Sequence, residues 1–497
     1  MQISPRRIIR DLITNLRPRE LFYWTIGNGV YWGFHLGMRV QLYGMAEHYG
    51  PPSLREGTLA SAGPRRARGP RSRWSLARPF SATLVISTHK RDWDPILFAA
   101  YSYYHRGWLA PDGRRIGFAG RADIWDRGFL ATVAGYRNWP TWAQRLLDAT
   151  SFAPIASRMR AYPILRVPEY TLRQYFRALL KEEGDLPLSD VLSLEALLAF
   201  TRQEDALTRR EKPQSEKRGH AAKEARALQL SDVLGWDYRL LTNRPIYAQY
   251  LTPIRYQRLR EHLRETIDQQ LERLSRSMET GDTLWFAPEG AVTLDGRVMR
   301  LRSGLHSLLD RMRPDVRCLP SNVTYDFMTS KRRIIACLAV GPELLGLRDL
   351  ERAEQDQQVA RALARQTTVT MSQLGSARLL ALLERPPYQF DPQAEAPLLL
   401  AEARRLADLG AWVQRDLLKE RGLRRRLRDF IAYAQAHHLI VSDQQGGYLV
   451  SAKTINNARS SRYWENPVRY CANELAALEA VLQPQAEVTG ALQPTSS

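Results

Sequence analysis

Short apolar runs separated by helical stretches are the feature of this chain that most restricts its fold. The runs are short enough to be buried strands, and they are rich in β-branched and other apolar residues. They are Ala82–Ile86, Ile116–Ala119, Tyr162–Leu165, Thr283–Ala287, Val316–Leu319 and Ile334–Val340. Strands that alternate with helices predict an α/β fold, with a mixed, partly parallel sheet flanked by helices and function on the loops at the strand ends.

Changes in composition suggest how the rest of the chain is organised. We expect residues 1–80 to form membrane-interfacial helices and a Pro/Arg-rich linker, and residues 81–345 to form the main domain. Within that domain, residues 168–258 are charged and mostly helical, which predicts a helical insertion. Residues 346–482 predict a mostly helical C-terminal region with a hairpin, and residues 483–497 predict a disordered tail.

The charge of the chain narrows the classes of partner. There are 72 Lys and Arg against 52 Asp and Glu, a formal charge of +20, and Arg dominates Lys. This composition suits phosphate-bearing partners, which are anionic lipid surfaces, phosphorylated metabolites or nucleic acid. Cys318, Cys337 and Cys471 show no CxxC spacing, so a disulfide scaffold and a structural zinc site are both disfavoured and a reducing, cytoplasmic setting is expected.

An aromatic stretch near the N-terminus suggests contact with a membrane. Residues 21–38 carry no charge apart from His35 and are rich in Phe, Tyr and Trp, but their four glycines disfavour a full span. Aromatic rings favour the headgroup level of a bilayer, and basic flanks are attracted to anionic lipid. An aromatic helix packed on the protein core explains the same pattern, and both interpretations remain open.

Two similar segments lie in the predicted insertion. LPLSDVL at 186–192 is echoed by LQLSDVL at 228–234. The similarity is either a coincidence or a duplicated helix start capped by Ser or Asp.

A histidine and an aspartate follow the first predicted strand. STHKRDWDP at 87–95 places His89 five positions before Asp94, on the connection to a helix expected to start at Pro95. A carboxylate that accepts from one imidazole nitrogen leaves the other nitrogen able to take a proton from a hydroxyl group. An aspartate before proline is also a good helix N-cap, and this spacing occurs by chance, so a purely structural interpretation stays open.

Three later segments carry residues that suit an anionic ligand. Arg166 closes a predicted strand, where its guanidinium group could hold a phosphate through two hydrogen bonds. Glu289 and Gly290 end the run LWFAPEG, and glycine lets the backbone approach a ligand closely. Arg302 and Gly304 precede an apolar helix whose first backbone amides could meet an anion. An ordinary turn or helix start would explain each segment alone.

The order of these segments resembles the glycerolipid acyltransferase superfamily. ISTHKRDWDP at 86–95 resembles its first block, a histidine, four residues and an aspartate, and AYPILR at 161–166 resembles the second. LWFAPEG at 284–290 resembles the third block and CLPSNVTYDF at 318–327 the fourth. RSGLHSLL at 302–309 is similar to the helix start that commonly follows the third block.

The resemblance implies a glycerol-3-phosphate or 1-acylglycerol-3-phosphate O-acyltransferase of phospholipid biosynthesis. His89 would be the general base and Asp94 its orienting partner, and Arg166 would contact the phosphate of the acceptor. The candidate catalytic residues are therefore His89 and Asp94, and the candidate substrate-binding residues are Arg166, Glu289, Gly290, Arg302 and Gly304. No cofactor and no metal are implied.

The resemblance also implies the partners of the reaction. Acyl-CoA or acyl-carrier protein would be the co-substrate, and a phosphorylated glycerol would be the acceptor. The reaction would take place on the anionic surface of a membrane, at the cytoplasmic face. The protein would be peripheral or interfacially embedded.

The chain departs from the family pattern at one place, and two alternatives follow. The third block usually continues with threonine and arginine, whereas Ala291 and Val292 stand here, and Arg297, Arg300 or Arg302 could compensate. The missing arginine keeps open a catalytically silent, membrane-bound member of the family. A basic nucleic-acid-binding protein is the other alternative, but aromatic residues are not interleaved with the basic patch, so nucleic acid is not expected as a partner.

Overall fold

The structure, a computed structural model, describes most of the chain outside the N-terminal region and several loops. The described residues are 29, 31–34, 36–44, 82–91, 94–105, 116–121, 125, 140, 142–143, 146, 149–151, 153–158, 160–165, 170–201, 228–234, 242, 246–279, 282–330, 333–384, 386, 388–443, 447–456 and 465–483.

A seven-stranded mixed sheet forms the centre of the fold, in the order β1-β7-β6-β2-β5-β3-β4. Its strands are β1 (Met38–Tyr43), β2 (Thr83–Ser87), β3 (Ile116–Arg121), β4 (Ala161–Ile164), β5 (Thr283–Phe286), β6 (Arg317–Asp326) and β7 (Ile334–Val340). β2 runs parallel to both β5 and β6, whereas β7 is antiparallel to β6. The predicted α/β class, with a mixed, partly parallel sheet, is confirmed.

Helices lie between the strands along the chain, and further helices make up most of the C-terminal region. They are α1 (Asp94–His105), α2 (Ala153–Arg158), α3 (Leu172–Glu182), α4 (Leu194–Thr201), α5 (Leu230–Val233), α6 (Pro253–Glu279), α7 (Ser303–Arg311), α8 (Arg352–Arg365), α9 (Met371–Leu383), α10 (Pro392–Asp408), α11 (Glu420–Ala436), α12 (Ala452–Asn456) and α13 (Pro467–Leu482). The start of α13 shows why such helices begin where they do: the Asn466 side chain accepts from the backbone N–H of Arg469, and proline occupies the first helical position.

The chain divides into two compact units. The first comprises Met1–Ala119, Arg158–Ala161 and Leu274–Ser497, and the second comprises Gly120–Ser157 and Tyr162–Arg273. The predicted insertion at 168–258 falls within the second unit. The domain boundaries taken from the sequence otherwise stay a prediction.

The first unit contains β1, β2, β5, β6 and β7 of the sheet and the C-terminal helices. All five residues of β2 are buried, which is typical of a strand whose two faces are both covered. The C-terminal helices share an apolar core that contains Phe390 and Phe430. The predicted hairpin is present as β11 (Ile440–Ser442) and β12 (Tyr448–Val450), and β9 (Gln389–Phe390) adds a third strand to it. β8 (Thr368–Val369) and β10 (Trp412–Val413) form a separate parallel pair.

The two similar segments of the second unit lie side by side. Leu188 N donates to the carbonyl of Leu228 over 2.9 Å, and Leu230 N donates to the carbonyl of Leu186 over 3.0 Å. Leu188 and Leu230 are both fully buried in the core of this unit. The two segments therefore bond to each other through their backbones. In each of them an extended residue precedes a short helical turn.

Two strands depart from the sequence prediction. β1 was not predicted, because Arg39 and Gln41 interrupt its apolar residues. It is an edge strand of the sheet, and the buried Gln41 accepts a hydrogen bond from the Tyr43 hydroxyl group over 2.7 Å. β6 extends well beyond the predicted Val316–Leu319. Polar side chains are buried in the extension and bonded, as shown by Ser321 Oγ, which donates to a carbonyl of β7, and Asn322 Nδ2, which donates to Thr367 Oγ1.

The stretch at 21–38, for which a membrane-interfacial position is predicted, lies mostly outside the described residues. In the part of the chain that the structure describes, no helix has the length and apolar character needed to cross a bilayer.

Candidate active site

The loop that carries His89 is anchored on both sides. β2 ends at Ser87, and Thr88 Oγ1 then donates to Asn322 Oδ1 of β6 over 2.8 Å. The carbonyl of His89 accepts a hydrogen bond from Thr293 N over 2.6 Å. The residue therefore lies at the carboxyl end of a central parallel strand, where ligands of α/β sheets commonly bind.

Asp94 lies beside the His89 ring and is completely buried. Asp94 Oδ2 is 3.6 Å from His89 Nδ1, which is an ion-pair distance too long for a hydrogen bond. The same oxygen accepts from the backbone N–H groups of Lys90 at 2.6 Å and Arg91 at 2.9 Å. Helix α1 begins at Asp94, one residue before the predicted start at Pro95, so the carboxylate also lies at a helix N-terminus, where a negative charge is favoured.

Tyr325 of β6 completes the setting of Asp94. Its hydroxyl group donates to Asp94 Oδ1 over 2.5 Å. Burial, together with the nearby Asp94 carboxylate, raises the pKa of Tyr325 well above its usual value, so the phenol keeps its proton and acts as a donor. The guanidinium group of Arg91 lies 4.5 Å from the centre of the Tyr325 ring and covers it.

The His89 imidazole group is held edge-on against an aromatic ring. Its centre is 5.8 Å from that of Trp285, with an angle of 80° between the planes. Within the described residues, His89 Nδ1 has no hydrogen-bond partner, and Asp94 is the carboxylate that it approaches. The side chain is 11% exposed, so a small part of the ring remains accessible from outside.

Glu289 is buried behind the His89 loop. Glu289 Oε2 accepts from the backbone N–H of His89 over 3.1 Å, and Oε1 accepts from that of Met299 over 2.7 Å. Burial raises the pKa of this carboxyl group to about 7, although the two N–H donors act in the opposite direction. The side chain therefore fixes the backbone of the His89 loop, and the sequence did not predict this contact.

Arg302 packs against the tight turn that contains Glu289 and Gly290. Gly290 has φ +67°, and a Cβ atom placed there would lie 2.7 Å from Arg302 Cδ. Arg302 Nε donates to the carbonyl of Glu289 over 3.0 Å, and its backbone N–H donates to the carbonyl of Pro288 over 2.9 Å. The two terminal nitrogens of Arg302 have no partner among the described residues, so they are available to an anion.

A buried ion pair connects the His89 loop to the helix α13. Lys90 Nζ lies 2.5 Å from Glu474 Oε1 of α13, and the two side chains are 4% and 2% exposed. Gln373 of α9 donates to the other oxygen of Glu474 over 3.0 Å. A charge inside the protein needs a partner of opposite sign, so the C-terminal helices help to fix the position of the residue next to His89.

The predicted site residues are partly brought together. His89, Asp94, Glu289, Gly290 and Arg302 form one connected group, and Gly304 lies in the first turn of α7. Arg166 lies outside the described residues. Of the arginines considered as replacements at the third block, Arg302 contacts the Glu289 turn, whereas Arg297 reaches Asn473.

Sequence reasoning missed Lys90, Tyr325 and Glu474 as parts of the site. Tyr325 stands inside the fourth block, TYDF, which was a signal in itself. Glu474 interrupts the apolar stripe of α13 between Cys471 and Leu478, and a charged residue on a buried helix face indicates a specific partner.

Comparison with known proteins adds no family to these observations. No family model matches the chain, and no curated protein matches it either. In the described ranges, no cluster of three or more His, Cys, Asp or Glu side chains is arranged to hold a metal ion.

Proposed function

We propose that the protein transfers a fatty acyl group from an acyl thioester to a hydroxyl group of glycerol-3-phosphate or 1-acylglycerol-3-phosphate. The observation that carries the proposal is the placement of the His89 imidazole group beside the buried Asp94 carboxylate, with 3.6 Å between Nδ1 and Oδ2. Two backbone N–H groups and the Tyr325 hydroxyl group fix that carboxylate. A fixed carboxylate beside an imidazole group suits that group to act as a general base, and the distance between the two can shorten when a substrate is bound.

The proposed reaction is a direct transfer, without an acylated enzyme. With Nδ1 turned to Asp94, Nε2 of His89 takes the proton of the acceptor hydroxyl group as its oxygen attacks the thioester carbonyl. The carbon–sulfur bond then breaks, and the imidazolium group returns the proton to the leaving thiolate. A general base of this kind contributes a factor of about 10²–10⁴ to the rate.

The turn that follows β5 supports a phosphorylated acceptor. The terminal nitrogens of Arg302 are unpartnered in the described part of the chain, and Arg302 is bonded to Glu289, which is itself bonded to His89. A guanidinium group suits phosphate because two parallel N–H donors match two oxygens. We propose that Arg302 takes over the role of the absent third-block arginine, and that Arg166 supplies the contact expected from the second block.

The arginine-rich helix α11 gives little support to nucleic-acid binding. Arg424 pairs with Glu420, Arg425 pairs with Asp416, and Arg426 is buried against acidic side chains. Paired arginines contribute less net charge towards a phosphate backbone than their number suggests.

Acyl transfer at an anionic membrane surface, with acyl-CoA or acyl-carrier protein as donor, is the function that we favour over nucleic-acid binding.

The test is an assay of acyl transfer with the purified full chain. The protein is placed on vesicles that contain anionic lipid and is supplied with an acyl thioester and with either glycerol-3-phosphate or 1-acylglycerol-3-phosphate. Mass spectrometry then identifies the product. The proposal expects lysophosphatidate from the first acceptor or phosphatidate from the second. Absence of both products with acyl-CoA and with acyl-carrier protein contradicts the proposal and leaves the catalytically silent alternative.

A further inference from the structure

A cavity that is lined partly by arginines lies where β1 and β7 begin. Its volume is about 260 Å³, and it is lined by Met38, Ile335, Asp416 and the four arginines Arg39, Arg333, Arg425 and Arg426. None of these residues belongs to the candidate active site. We infer that this cavity binds a phosphomonoester dianion, carried either by a lipid headgroup or by a small phosphorylated molecule.

One of the four arginines belongs to the wall of the cavity rather than to its binding groups. Arg426 is 4% exposed and pairs with Asp326 and with Asp429. Asp326 also accepts from the hydroxyl group of Ser372 over 2.6 Å, so the carboxylate is fixed from a second side. The charge of Arg426 is offset inside the protein and is not left for a ligand.

The remaining three arginines outnumber the acidic groups of the cavity. Arg39 Nη1 lies 3.2 Å and Arg425 Nη2 2.9 Å from the same oxygen, Asp416 Oδ2. Arg333 has no hydrogen-bond or ion-pair partner among the described residues. Three guanidinium groups against the one carboxylate that lines the cavity leave an excess of positive charge there, which favours an anionic ligand.

The geometry lets a ligand reach these groups. The side chains of Arg39 and Arg425 are 57% and 47% exposed, so an anion can approach them from solvent and compete with Asp416. Guanidinium groups present paired N–H donors that match phosphate oxygens, and the three terminal oxygens of a phosphomonoester allow more than one of these arginines to bind it at once.

The apolar part of the lining indicates what the phosphate is attached to. Met38 and Ile335 supply apolar wall beside the arginines, so a short aliphatic stem can follow the phosphate inwards. The volume lies just below the roughly 300 Å³ at which pockets for drug-sized ligands begin, so a headgroup-sized fragment fits better than a whole cofactor. Met38 is also the last residue of the aromatic stretch 21–38, which we expect at a membrane interface.

Two binding measurements on the wild-type full chain separate the two sources of phosphate. Inorganic phosphate is titrated by calorimetry, and co-sedimentation is measured with phosphatidylcholine vesicles that contain or lack phosphatidate. No acyl donor is present, so neither result depends on turnover. Binding of inorganic phosphate alone identifies a soluble phosphorylated ligand, and added binding to phosphatidate vesicles identifies a lipid headgroup. Absence of both overturns the inference.

Single substitutions place the binding in the cavity. Arg39→Gln, Arg333→Gln and Arg425→Gln are each expected to weaken the affinity about tenfold, whereas Asp416→Asn is expected to strengthen it several-fold. Arg424→Gln is the matched control, because it removes one positive charge from a 52% exposed arginine beside Arg425 on the same helix. An equal loss in the Arg424→Gln variant indicates unspecific charge attraction and overturns the inference. A loss in Arg302→Gln with none in the cavity variants places the ligand in the candidate active site and overturns it equally.

Discussion

The backbone N–H of His89 donates to the carboxylate of Glu289 over 3.1 Å, and this bond joins two turns that are 200 residues apart in the chain. The turns follow β2 and β5, which are adjacent parallel strands, so their carboxyl ends meet at one edge of the sheet. Glu289 also accepts from Met299 N and lies beside the Thr293 hydroxyl group. Glu289 is therefore one of the buried groups that fix the position of the His89 loop.

The stability of the protein should depend on pH through Glu289. The pKa of this group rises from 4.5 in the unfolded chain to about 7 in the folded protein, mainly because of burial. A raised pKa gives stability that is fully present below pH 4.5 and is lost as the pH rises through 7, a change on the order of 3 kcal/mol. We expect the free energy of unfolding of the wild type, relative to Glu289→Gln, to fall between these pH values. Denaturant unfolding at a series of pH values measures this free energy for both proteins. A difference between them that does not change with pH would contradict the raised pKa of Glu289.

Removal of the Tyr325 hydroxyl group should slow catalysis without weakening substrate binding. Tyr325→Phe leaves Asp94 with its two backbone donors but without the phenol, so the carboxylate is held less firmly beside His89. A hydrogen bond to a charged group contributes about 1.5–3 kcal/mol, and we expect kcat to fall about tenfold with KM unchanged. Tyr175→Phe is the control, since its hydroxyl group donates to the backbone carbonyl of Arg255. An unchanged kcat in Tyr325→Phe would show that Tyr325 does not position Asp94.

The Lys90–Glu474 pair should be costly to break from one side. Glu474→Ala leaves the buried Lys90 without its partner, and loss of one member of a buried pair typically costs about 3–5 kcal/mol. The double variant Lys90→Met with Glu474→Leu removes both charges and should recover most of that stability. Thermal and denaturant unfolding measure both effects. Glu420→Ala is the control: its carboxylate is 65% exposed and pairs with Arg424, so about 0–1 kcal/mol is expected. Equal losses of stability in Glu474→Ala and Glu420→Ala would contradict this account.

Gly290 in the third block and Gly304 in the helix start that follows it should respond differently to substitution by alanine. Gly290 has φ +67° and faces Arg302 at 2.7 Å, so Gly290→Ala should destabilise the protein by about 1–2 kcal/mol and displace Arg302. At Gly304 a Cβ atom would meet only Phe286, at an ordinary 3.8 Å. Gly304→Ala in the first turn of α7 should therefore be neutral or stabilising by up to about 1 kcal/mol. Unfolding experiments on both variants test this, and similar effects would contradict the geometry of the turn.

The sequence predicted the sheet because its strands are apolar on both faces. β2, β5 and β7 appear as continuous apolar runs, and their observed bounds agree closely with those runs. β1 and the second half of β6 could not be found in this way. Their stability comes from pairing and from buried polar contacts such as Asn322 with Thr367, and these depend on residues distant in the chain.

The candidate site was predictable where residues lie close in sequence. His89 and Asp94 stand on one short loop, so their approach followed from local spacing. The roles of Glu289 and Glu474 were not predictable, because each is decided by which backbone or side chain lies opposite it after folding. Spacing in the chain carries no information about such long-range contacts.

The central claim is that His89 acts as the base in acyl transfer, and replacing its imidazole group tests that claim most directly. Thiol release from acyl-CoA or acyl-carrier protein in the presence of the acceptor is measured for wild type, His89→Ala and His262→Ala, after unfolding curves show that each variant is folded. His262, on α6, is a half-buried histidine outside the candidate site. The account predicts a loss of about 10²–10⁴ in rate for His89→Ala and a wild-type rate for His262→Ala. Near-normal acceptor-dependent thiol release by folded His89→Ala would contradict it.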